Sequence, residues 1–189
     1  MSDDIPLLRL QDAWRECERH VYHLFHAMSS IRTFWPLTRE TYTNLSDEQV
    51  QDVDQFILRF TKLQDTMGSR LFPAILHYLT EQFEERPMLD KLNRLEKLGF
   101  IDNVEKWQVV RNIRNKFAHD YPDDPDKNAA QLNFAFESVS DLYTMLITVS
   151  TKLKAEYPDL ELGKSLPVRT SAWVQMRDEL ISNLLFGKQ

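Results

Sequence analysis

The chain has 189 residues, 42% apolar and 28% charged, with a net charge of −6. This is globular composition with length enough for a core, and the acidic balance excludes coating of nucleic acid through overall charge while allowing a local basic site. One cysteine, Cys17, excludes a disulfide framework and a cysteine-based zinc cluster, and four glycines without a GxGxxG or P-loop pattern argue against a phosphate-cradling loop and a sheet-rich fold.

Leu7, Leu10, Trp14, Cys17, Val21, Leu24 and Met28 recur at spacings of three and four, which predicts a first helix from about Leu7 to Ser30 with Cys17 as a small core residue. Thr33 to Leu45 contains Pro36 and no period and reads as a loop, aromatic enough at Phe34, Trp35 and Tyr42 to pack on the body. Ser46 and Gln49 form a capping box ahead of a second stripe, Val50 to Met67. Pro73 is expected to kink or restart that helix, which continues to about Glu85. Pro87 opens a short helix and Gly99 caps its end. Asp102 or Asn103 caps the next, which carries Val104, Trp107, Val110, Ile113 and Phe117 and ends before Pro122. A last long helix runs from about Asp126 to Tyr157. Beyond Pro158, a linker and an amphipathic helix with Trp173, Met176, Leu180 and Leu184 form a C-terminal extension. The expected organisation is all-α, with a helical body over 1–157 and the extension over 158–189. No apolar run spans a membrane and residues 1–20 lack a signal-peptide core, so a cytoplasmic protein with no membrane partner is the expectation.

The chemistry-bearing stretch runs from Arg111 to Tyr121. Arg111, Asn115 and His119 are spaced i, i+4, i+8, a polar stripe on a helix with an apolar side, and Arg114 flanks it. His119 lies near the expected helix end, where the dipole and Asp120 favour its charged form. A histidine near its titration point moves protons at neutral pH, and an arginine beside it holds a phosphate. Residues 86–116 hold eight basic and four acidic side chains, a local +4 in an acidic chain.

Arg114-x4-His119-x-Tyr121, with Asn115 after the arginine and Asp120 after the histidine, resembles the R-x4-H-x-Y motif of HepT-like toxins in the HEPN superfamily. The resemblance covers roughly residues 5–157, as helix order and motif placement. It implies an up-and-down bundle of four to five long helices that forms a homodimer. It also implies a metal-independent endoribonuclease without cofactor, the toxin of a toxin–antitoxin or defence module. His119 is then the acid/base at the RNA 2′-hydroxyl or leaving 5′-oxygen, and Arg114 stabilises the phosphorane-like transition state. Asn115 orients His119 or the phosphate, with Asp120 and Arg111 supporting. Products carry 2′,3′-cyclic phosphates, and Tyr121 corresponds to the tyrosine that a nucleotidyltransferase-type antitoxin adenylylates. On a regular helix Arg114 and His119 stand about 140° apart, so either the helix unwinds before His119 or a second copy completes the site.

Other readings stand beside this one. The chain can be a non-catalytic HEPN partner of a minimal nucleotidyltransferase, or a structural helical adaptor in which Arg114 and His119 belong to an ion network. Arg15-x4-His20-x-Tyr22 repeats the same pattern midway along the first helix, beside its core stripe. His20, His23 and His26 read as a solvated flank, without further ligands for a metal. Asp52, Asp54 and Asp65 share the second long helix with no reason to single out a pair.

Overall fold

The computed structural model describes residues 4–80, 85–117 and 124–162. Among them the regular elements are all helical: α1 (Asp4–Ile31), α2 (Arg39–Thr43), α3 (Asp47–Thr66), α4 (Phe72–Tyr78), α5 (Met88–Lys97), α6 (Val104–Lys116) and α7 (Pro125–Glu156), with a 3₁₀ turn at Arg32–Phe34 and a π turn at Met67–Leu71. No described helix is long and apolar enough to cross a membrane.

Two helix starts and one helix end have a clear local cause. Ser46 Oγ accepts from Gln49 N at 3.3 Å while Gln49 Oε1 accepts from Ser46 N at 2.9 Å, the reciprocal box that opens α3. Asn103, not Asp102, caps α6: its Oδ1 accepts from the amides of Glu105 at 2.6 Å and Lys106 at 3.2 Å, an arrangement worth about 1 kcal/mol. Gly99 takes φ +75 after α5, a left-handed conformation that favours glycine.

The long helices alternate in direction. Glu16 of α1 meets Thr66 and Arg70 beyond it, whereas Trp35, past the other end of α1, lies beside Phe56, so α3 runs against α1. Phe60 meets Phe117 and Phe72 meets Trp107, so α6 runs against α3. Phe136 stacks on Trp35 and Tyr143 lies against Phe25, so α7 runs against α1. The facing stripes make one core, with Trp14, Cys17, Phe56, Phe60, Met67, Trp107, Leu142 and Leu146 almost completely buried. Burial pushes the Cys17 thiol far up, so it stays protonated and inert.

Two local expectations are corrected, the plain loop after α1 and the end of the second long helix at Glu85. The stretch after α1 is not a plain loop, since it holds the 3₁₀ turn and α2 and is fastened to α7. Trp35 stacks on Phe136 with centroids 4.6 Å apart, and the Asn133 amide clasps Leu37 through both its N at 2.9 Å and its O at 2.7 Å. At Pro73 the second long helix restarts as expected: α3 widens into the π turn, and α4 opens at Phe72 with the proline in its first turn. That helix ends at Tyr78, short of Glu85, and Thr80 beyond it adopts φ +58. After α7 the expected linker begins on the body: Leu160 and Leu162 are buried, and Gln11 Nε2 donates to the Glu161 carbonyl at 2.8 Å. The expected tail helix around Trp173 lies outside the described residues.

Candidate functional site

Val104, Trp107, Val110 and Ile113 bury one face of α6 by their spacing of three. That phase decides where the polar residues go. At 100° per residue, Arg111 and Asn115 fall on the far side from Ile113, and both are exposed, so these two residues of the expected polar stripe face solvent. Arg114 falls on the shoulder between, turned toward α3, and is half-buried.

There it meets Asp65. Arg114 Nη2 donates to Asp65 Oδ2 at 2.8 Å, an ion pair joining α6 to α3, with the side chains 33% and 40% exposed. The hydrogen bond to Asp65 pushes the arginine further up, against the opposing effect of burial. Nη1 lies 3.4 Å from Asn115 Oδ1, a long contact. One carboxylate oxygen thus occupies one arm of a guanidinium that offers five donors. The pair fixes Arg114 near the end of α6, and it also sets Asp65 in competition with any phosphate at that guanidinium.

His119, Asp120 and Tyr121 lie outside the described residues, so the structure brings together Arg111, Arg114 and Asn115 on one helix and adds Asp65. Asp65 is 49 residues away in sequence and indistinguishable there from Asp52 and Asp54; burial of Phe60 and Leu63 on the same helix sets the phase that turns it to α6.

The second occurrence of the motif comes apart. Arg15 is held at the surface by Asp12 at 2.7 Å and Tyr22 is 65% exposed, while His20 turns inward against α3. His20 is therefore no part of a solvated flank: its side chain is 12% exposed. Among the described residues no group of three His, Cys, Asp or Glu side chains is arranged to hold a metal. A surface cavity of about 570 Å³ lies by Tyr78, Tyr157, Glu156, Asp159 and Glu161; its carboxylates repel phosphate and it contains none of the residues expected at the site. No protein-family model, curated protein or solved structure matches the chain.

Proposed function

We propose that the chain is a metal-independent endoribonuclease of the HEPN type, acting as a homodimer and serving as the toxin beside a nucleotidyltransferase-type antitoxin. The observation that carries this reading is Arg114: held by Asp65 at the end of a helix in the basic stretch, it stands five residues before His119 in a sequence that resembles the family's motif. In this reading the 2′-hydroxyl of RNA attacks its own phosphate. His119 takes or returns the proton, Arg114 holds the developing charge, and Asn115 and Arg111 steady the phosphate while Asp120 favours the charged histidine. Adenylylation of Tyr121 places a bulky anion beside the site and blocks it.

The test is cleavage of mixed cellular RNA in EDTA by wild type and by His119→Ala, after intact-mass measurement shows Tyr121 unmodified. Wild type is expected to leave 2′,3′-cyclic phosphate ends, and the variant to be slower by about 10²–10⁴-fold. Absence of cleavage by the unmodified dimer overturns the ribonuclease and moves the reading to a non-catalytic partner of a nucleotidyltransferase. The Arg114–Asp65 ion pair favours a second reading, a structural helical adaptor, because the arginine ties two helices together. In that case Arg114→Ala lowers the melting temperature and no RNA is cut by either protein.

A further inference from the structure

His20 and its neighbours form a cationic seam between α1 and α3. On α1, Arg19, His20 and His23 fall within an arc of about 40–100° with Glu16; on α3, Arg59, Lys62 and Thr66 fall within about 60°. The two arcs face each other, since Glu16 contacts Thr66 at 3.4 Å and pairs with Arg70, and His20 is electrostatically coupled to Arg59, Arg19, Lys62 and His23. The nearby acids are already engaged: Glu16 with Arg70, Asp12 with Arg15 and Asp65 with Arg114. Arg19, Arg59 and Lys62 form no ion pair with any described residue. Both ring nitrogens of His20 and the Nε of Arg59 are buried with no hydrogen-bond partner, and the nearest carboxylate oxygen, of Glu16, is 3.7 Å from His20 Nε2. Buried donors left without acceptors are rare and costly. Three cations without an ion pair among the described residues, on one seam of a chain with net charge −6, form a place where an anion is welcome.

We propose that this α1–α3 seam, formed by Arg19, His20, His23, Arg59 and Lys62, binds the phosphodiester backbone of single-stranded RNA. The choice of RNA rests on the ribonuclease reading; the affinity for phosphate rests on the seam. Lys62 stands one turn from Asp65 on α3, hence beside the Arg114 pair, so a strand with its reacting phosphate at Arg114 continues over Lys62 toward Arg59. Phosphate contacts of this kind position the strand without reading its sequence.

The test is fluorescence anisotropy of the full-length protein with a labelled 2′-O-methyl single strand of about 20 nucleotides, which keeps its phosphates and lacks the nucleophile. Arg59→Gln/Lys62→Gln is expected to weaken binding at least about tenfold and to lower the slope of log Kd against log salt by about 1.4, or 0.7 for each lost contact. Lys152→Gln/Lys154→Gln, the same charge change on α7, leaves Kd within about twofold. Circular dichroism checks that each variant is folded, and Lys62→Glu, at an exposed position, weakens binding on its own where the double variant does not fold. Equal losses in both double variants, an unchanged Kd in Arg59→Gln/Lys62→Gln, or no binding by wild type overturns the seam. Cleavage of unmodified RNA is scored separately. A seam that binds in a protein that does not cut overturns the ribonuclease and leaves the seam, whereas cutting with KM unchanged in Arg59→Gln/Lys62→Gln does the reverse.

Discussion

The imidazole of His20 is held where a positive charge is least welcome. Burial lowers its pKa first, and Arg59, Arg19, Lys62 and His23 lower it further; Glu16, the acid beside it among the described residues, is already paired with Arg70. The folded ring is therefore neutral where the unfolded ring, with its ordinary value of 6.5, begins to take a proton. Below that value the unfolded state binds more protons than the folded one, so stability rises with pH across the interval and falls as the solution is acidified. The contribution is complete above 6.5 and is lost as the pH drops through the folded titration point. Urea unfolding at about pH 7.5, 6.5 and 5.5 is expected to show a falling midpoint for wild type and a shallower fall for His20→Asn, which cannot titrate. Parallel curves for the two proteins would place the acid sensitivity elsewhere. The spacing of the three histidines gave no warning of this burial: His20 and His23 share a helix flank in sequence, and only the approach of α3 makes one of them interior.

Where α3 meets α6, packing turns on a glycine. Gly68 lies in the π turn, and a β-carbon built on it stands 2.9 Å from Cζ2 of Trp107, a side chain 1% exposed. Phe72 packs edge-on against that indole with centroids 4.8 Å apart, and the indole is almost completely buried, so the ring has little room to move. Gly68→Ala gains up to about 1 kcal/mol of helix propensity and loses about 1–3 kcal/mol to overpacking. The expected net is a melting temperature lower by about 2–8 °C, recovered in part when Trp107→Phe is added. A higher melting temperature would mean that the indole yields. The stripes of α1, α6 and α7 were legible because each needs only its own 3.6-residue period; Leu132, Ala135, Val139, Leu142, Leu146, Val149 and Leu153 are all buried as their spacing predicts. The π turn was not, because Met67, Leu71 and Ile75 keep a spacing of four that an unbroken helix also explains. Nor was Asp65, since the partner of a shoulder arginine is chosen by which helix packs alongside.

At the scale of the whole molecule, the ribonuclease we propose has Arg114 act with His119. Arg114 is fixed on the α3-facing shoulder of α6, and its partner Asp65 keeps it there. α6 ends at Lys116, short of His119, so a regular helix does not fix the angle between the two positions. Under the proposed function, a two-fold arrangement would let each chain supply the arginine for its partner's histidine, because a symmetric interface repeats every contact twice. This has a consequence that neither single variant reveals. Arg114→Ala and His119→Ala homodimers are each expected to be nearly inactive toward RNA. Unfolding and refolding them together in equal amounts makes about half the dimers mixed, and each mixed dimer has one site with both native residues and one with neither; the mixture should recover about a quarter of wild-type cleavage. If a single chain builds its own site, every site in the mixture lacks one residue and nothing is recovered. Light scattering on the same samples reads the mass directly, and a monomer at micromolar concentration rules out the shared site whatever the activity.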